Sequence, residues 1–228
     1  WKGPALIMAT ALVLATVTAC SDTEEQSPDD GLLRVVTTVS PITSLVENIG
    51  GSRIRLEGII PEGTNSHTFS PSPSVARVMA EADLIVLNGL FLEEPSLKMA
   101  RANKKPDAVI LALGDAATSP EEWVFDFSFP ESDGHPNPHL WTSPLLALKY
   151  AELIRDELVA LDAPNADYYR ENYEELKARI EDLDRRISAA FQTVPVENRK
   201  LLTYHDSFPL FAPRYGLEII GAVQPSDF

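Results

Sequence analysis

Leu32-Leu33-Arg34-Val35-Val36-Thr37-Thr38-Val39, residues 32–39 of a 228-residue chain, decides the fold. Its run of apolar and β-branched residues reads as a first strand. Pro41 opens a helix that runs to Ile49, and Gly50-Gly51 ends it. Ile54 to Ile60 reads as a second strand, closed by Pro61 and Gly63. Ser72-Pro73 supplies a cap and a first helical position for a helix through Ala80. Asp83 to Gly89 is a third strand with its turn, and Ala108 to Leu113 a fourth. Strands alternating with helices at this spacing predict a parallel sheet with helices on its faces.

Beyond the fourth strand the pattern changes. Asp115 to Pro138 holds six acidic residues and no Lys or Arg, with Trp123, Phe125, Phe127 and Phe129 among them. It reads as a long surface loop whose aromatics lie down on the lobe. Ser143-Pro144 then caps a helix to about Leu161. In Asn165 to Phe191, the residues Tyr169, Tyr173, Leu176, Ile180, Leu183, Ile187 and Phe191 recur at three- and four-residue steps. That is an amphipathic stripe on a helix of roughly 40 Å. A coiled-coil dimer competes, but about four heptads carrying three aromatics suit a rigid spine in a monomer better.

After Pro195 the alternation restarts. Lys200 to Tyr204 is a strand, Ser207 to Tyr215 a short helix and Leu217 to Ile220 a strand. One strand–helix–strand unit cannot bury its own faces, so a second lobe begins here and is truncated in this sequence. The expected class is α/β: two lobes, each a parallel sheet flanked by helices, joined by one long rigid helix. The expected segments are 1–20 (export signal), 21–31 (acidic tether), 32–162 (first lobe), 163–195 (linking helix) and 196–228 (start of the second lobe).

Residues Ala5 to Ala19 are apolar or small, with Lys2 ahead of them. Fifteen residues are too few for an ordinary spanning helix and read as the core of an export signal. Val17-Thr18-Ala19-Cys20 resembles a bacterial lipoprotein processing site, in which the cysteine becomes the lipid-modified first residue. Ser21 to Gly31 is polar and acidic with nothing to bury, as a tether would be. Cys20 is the sole cysteine, so no disulfide or thiolate metal site is available. The formal charge of −15 argues against a nucleic-acid partner and fits attraction of a cation.

Three of the four histidines sit in distinctive settings: Asn65-Ser66-His67-Thr68-Phe69, Asn137-Pro138-His139-Leu140-Trp141 and Thr203-Tyr204-His205-Asp206-Ser207. Each lies in a loop or at the end of a strand, where open α/β sheets present ligands. Distant imidazoles converging on one point build a site for a borderline divalent metal. His135 is the weak candidate, set in the acidic loop. It is four residues from His139, but two prolines spoil a helical pair.

The chain resembles the metal-binding receptor family of bacterial zinc and manganese ABC importers, which includes zinc-uptake receptors and adhesin-like lipoproteins. The matching pieces, in order, are Val36 to Ile42, His67 to Pro73, Ala82 to Gly89, Asn137 to Trp141 and His205 to Phe208. The resemblance runs from Leu33 nearly to the end. It implies two α/β lobes joined by the helix Asn165 to Phe191, with a metal between them. His67 and His139 match the first-lobe ligands and His205 the third. The fourth, a carboxylate late in the second lobe, would fall beyond residue 228; Asp227 comes too early. Zinc-type members often carry a histidine-rich loop where this chain has an acidic one.

The resemblance further implies a lipid-anchored receptor on the extracytoplasmic face of the membrane, in the periplasm or at the cell surface. It would hand its cargo to the permease and ATPase subunits of an importer and perform no catalysis. A histidine at position 205 favours Zn2+ over the alternative, Mn2+, because three nitrogens suit zinc. A zinc-dependent hydrolase is the rival reading, but the sequence has no His-Glu-x-x-His helix and no partnered base. An adhesin-like lipoprotein is the third.

Overall fold

The computed structural model describes residues 1, 31–125 and 135–224. The signal segment and tether therefore lie, but for Trp1 and Gly31, outside the described residues, as do Phe127 and Phe129. Among the described residues no helix is long and apolar enough to cross a membrane.

Strand β1 (Leu33–Thr37) lies between β2 (Ile54–Gly58) and β3 (Leu84–Leu87), and β4 (Val109–Ala112) flanks β3. Every pairing in this β2-β1-β3-β4 sheet is parallel. Leu84, Ile85, Val86 and Leu87 are all fully buried. Burial on both faces explains why β3 is continuously apolar and does not alternate.

Helix α1 (Ser40–Gly50) buries Ile42, Val46 and Ile49, one helical stripe. It stops at Gly51, whose φ of +50° is readily adopted only without a side chain. Helices α2 (Pro73–Glu81) and α3 (Glu94–Asn103) cross between strands, and a short α4 (Leu113–Ala117) follows β4. Helix α5 (Pro144–Leu161) buries Tyr150, Ala151, Ile154 and Leu158. Ser72 and Ser143 occupy the N-cap positions of α2 and α5, but neither side chain makes a capping bond. Each is followed by a proline, which removes one of the N–H groups that would need a cap.

Helix α6 (Ala166–Gln192) is the predicted spine. Its first half packs Tyr169, Tyr173 and Leu176 into the core with α1 and α5. Asn172 Nδ2 donates to the Ile49 carbonyl at 2.9 Å. Its second half meets the second lobe. Arg214 Nε donates to Asp184 at 2.6 Å, the Tyr215 hydroxyl donates to the same carboxylate at 2.6 Å, and Phe191 stacks on Tyr215. Arg214 holds the Asp184 carboxyl below its ordinary range.

The second lobe shows β5 (Lys200–Thr203) paired in parallel with β6 (Glu218–Ala222), with a register shift between Leu201 and Leu202. Two expectations are corrected. Residues 207–215 do not form a helix: Pro209 and Pro213 lack N–H donors, and only turns and a 3-10 turn at Pro213–Tyr215 result. The stretch after β4 is more ordered than a bare loop. It contains α4, a 3-10 turn at Pro120–Glu122 closed by a Ser119–Glu122 capping box, and a bridge from Phe125 to Pro136. Trp123 does lie against the core.

Candidate metal centre

Three loops bring the site together. Past β2 the chain buries Ile59 and Ile60, then turns through Pro61 and Gly63 to His67. The His67 backbone N–H donates to Asn65 Oδ1 at 2.9 Å, a local turn that fixes the loop. His139 sits at the start of a 3-10 turn (Leu140–Thr142) that leads into α5. His205 lies two residues past the end of β5, after Tyr204.

His139 is the hub. Its Nε2 lies 3.2 Å from His67 Nε2 and 3.1 Å from His205 Nε2. The donor nitrogens of all three lie within 4.8 Å of one another. Trp141 packs edge-on against the His139 ring at 5.2 Å between centroids. A cavity of about 510 Å³ opens in front of the three rings, lined also by Tyr204, Phe208 and Gln224. His139 itself is buried, and burial, then the neighbouring His67 and His205, push its pKa down to about 3. A ring kept neutral has a lone pair to offer. Three imidazole nitrogens facing one point form a donor set for a first-row divalent metal.

His135 does not join them. It stacks on the Phe91 ring, 4.6 Å between centroids and 10° from parallel.

Two sets of residues escape a reading of the sequence alone. Asn137 is quoted in the His139 motif without a role. In the structure its Oδ1 accepts from His139 Nδ1 at 2.8 Å. Behind it, Asn88 Nδ2 donates to the Pro138 carbonyl at 3.0 Å and Tyr150 donates to Asn88 Oδ1 at 2.9 Å. Glu93 is buried and accepts from Thr38 Oγ1 at 2.6 Å, Asn88 N at 2.7 Å and Gly89 N at 3.1 Å. Burial nonetheless raises its pKa. These bonds fix the loop in which Leu90 and Phe91 take positive φ angles of 50° and 64°. The only hint in the sequence was that Glu93 directly follows the apolar run Leu90 to Leu92.

The family model "ZnuA: Zinc-uptake complex component A periplasmic" matches residues 35–227. The chain belongs to the metal-binding receptor family of bacterial ABC metal importers. It is 30% identical over 217 residues to the manganese-binding lipoprotein MntA of Halalkalibacterium halodurans, covering 95% of this chain and 68% of that protein. It is 29% identical over 204 residues to the manganese ABC transporter substrate-binding lipoprotein PsaA of Streptococcus pneumoniae, covering 87% and 64%. The crystal structure of a zinc-bound ZnuA deletion mutant superposes with a TM-score of 0.74 at 26% identity, over 86% of this chain and 71% of that one. The chain thus spans about two thirds of the length of these relatives. Within the family its two-lobed α/β fold matches solute-binding receptors, not enzymes.

Proposed function

We propose that this protein is an extracytoplasmic receptor that captures a divalent transition metal on His67, His139 and His205 and delivers it to the permease of an ABC importer. The observation that carries the reading is the convergence of three Nε2 atoms on one side of a cavity, with His67 72 residues before His139 and His205 66 residues after it. Cys20 would carry the lipid that holds the receptor to the membrane, with residues 21–31 as tether, 32–162 and 196–228 as lobes and 163–195 as the link.

Zinc comes first if position 205 alone is weighed. The relatives' names put manganese ahead: MntA and PsaA are both named for it, against the zinc-bound ZnuA structure. Manganese is therefore the proposed cargo. Zinc is retained as a second reading because a third imidazole, His205, suits it better than manganese, which prefers more oxygen. Affinity in vitro does not separate the two, since zinc outranks manganese at nearly any such site.

Titration calorimetry of four alanine variants tests the site. Loss of His67, His139 or His205 should weaken metal binding beyond the ~10–100-fold typical of an outer-shell partner. Loss of His135 should change little. Equal affinities for all four would overturn the ligand set. Metal analysis of protein recovered from its own cells, with growth of a deletion strain, decides the cargo: manganese in the site and rescue by manganese are expected, and rescue by zinc alone reverses it.

A further inference from the structure

We propose that Asn137 is a positioning residue serving both lobes at once: one end of its amide fixes His139 as a metal donor, and the other ties the His205 turn to the first lobe. The inference rests on the metal-receptor reading and deepens it.

Asn137 is buried, with 1% of its surface exposed. Its amide orientation is set by chemistry. Oδ1 faces the His139 backbone N–H at 3.1 Å, a group that can only donate. Nδ2 faces the Asp206 carbonyl at 2.7 Å, a group that can only accept. Turning the amide over would set N–H against N–H and oxygen against oxygen. Since Oδ1 can only accept, the His139 Nδ1 at 2.8 Å must carry its ring hydrogen. The lone pair is thereby left on Nε2, the atom that faces His67 and His205. An outer partner that fixes the tautomer and the ring orientation is what a ligating histidine needs.

The other end reaches across the lobes. Asp206 follows His205 directly, so holding its carbonyl holds the turn that carries the third imidazole. A second link, Thr142 Oγ1 to the Ser207 carbonyl at 3.1 Å, is weaker. The single hydroxyl hydrogen of Thr142 is shared with the His139 carbonyl at 2.8 Å. Asn137 Nδ2 carries two hydrogens and makes the shorter link, 2.7 Å to the Asp206 carbonyl; it is the tether.

Asparagine is fitted to both tasks. Aspartate would keep the acceptor for His139 but would place an oxygen against the Asp206 carbonyl. Alanine would remove both contacts. The test compares the purified protein with its Asn137→Asp, Asn137→Ala and Thr142→Val variants. Long-range 1H–15N spectra of the metal-free protein read which His139 nitrogen bears hydrogen. Hydrogen exchange over residues 203–209 reads the tether, and titration with Zn2+ and Mn2+ reads affinity.

Wild type should show the Nδ1–H form of His139. Asn137→Asp should keep that form while exchange in 203–209 rises at least about tenfold. Asn137→Ala should lose the single tautomer, raise exchange equally and weaken metal binding ~10–100-fold. Thr142→Val should leave the tautomer alone and raise exchange less than either. Unchanged exchange in Asn137→Asp overturns the tether, and an unchanged tautomer in Asn137→Ala overturns the orienting role. Where the alanine variant does not fold, the near-isosteric aspartate variant carries the decision. A wild-type protein that binds neither metal fails the receptor reading itself, a result distinct from binding that the variants leave untouched.

Discussion

His139 carries a proton cost: it is the hub, buried, and its pKa falls to about 3. In the unfolded chain an ordinary histidine titrates near 6.5. Between about pH 6.5 and 3 the unfolded state therefore binds a proton that the folded state refuses. Its contribution to stability is complete above that window and is lost as the pH falls through it. Thermal melts of the metal-free protein should drop steadily from pH 7 to 4, and His139→Leu should flatten that slope; an equal slope in both would contradict the burial argument. Glu93 makes a second prediction. Glu93→Gln turns one acceptor oxygen into a donor facing backbone N–H groups, so it should cost about 1–3 kcal/mol in denaturant unfolding while metal affinity stays near wild type. The three clustered histidines were legible because histidine is scarce and each stands in a loop of small and turn residues. Asn137 was not legible in the same way. The worth of an amide depends on which backbone group lies at its far end, and that group, the Asp206 carbonyl, is 69 residues away.

Helix α6 shows how much of an element a periodic stripe can and cannot tell. The stripe from Tyr169 to Phe191 announced the helix nearly to the residue. It did not say that only the first half would be buried in the core, with Leu183 left 47% exposed. The second half is held by Phe191 at the end of the stripe and by Asp184, a polar position off it. Asp184→Ala should lower stability by only about 1 kcal/mol, because a partly exposed ion pair is screened. It should nevertheless raise hydrogen exchange around residues 213–216; exchange left unchanged would mean that the aromatic contacts alone hold the lobe. Since α6 grips both lobes, a wide hinge is disfavoured. Small-angle scattering of metal-free and metal-loaded protein should give the same radius of gyration, and a clear compaction would refute the spine. Helix α3 was harder to read: Pro95 stands in its first turn, and half of its residues are polar or charged. The 207–215 segment erred the other way, since its apolar residues suggest a helix that two prolines forbid.

At the scale of the whole molecule, the parallel order of the first sheet was legible because strands and helices alternate at crossover spacing. The strand order was not, since β1 joins β2 on one side and β3 on the other through choices that no local pattern encodes. One feature reaches past the fold. The three imidazoles come from positions 67, 139 and 205, and no stretch of unfolded chain can present them together. A metal ion therefore binds the native form far more tightly than the unfolded chain and stabilises it by mass action, by up to about 2.7 kcal/mol at a hundred times its dissociation constant. A protease that attacks the opened chain should then cut the loaded protein roughly a hundredfold more slowly than the empty one. Limited digestion with and without manganese or zinc measures this, and equal cleavage rates would exclude it. In a cell, such a receptor would persist when its cargo is abundant and be cleared when starved of it, so its abundance would follow metal supply with no regulator of gene expression involved.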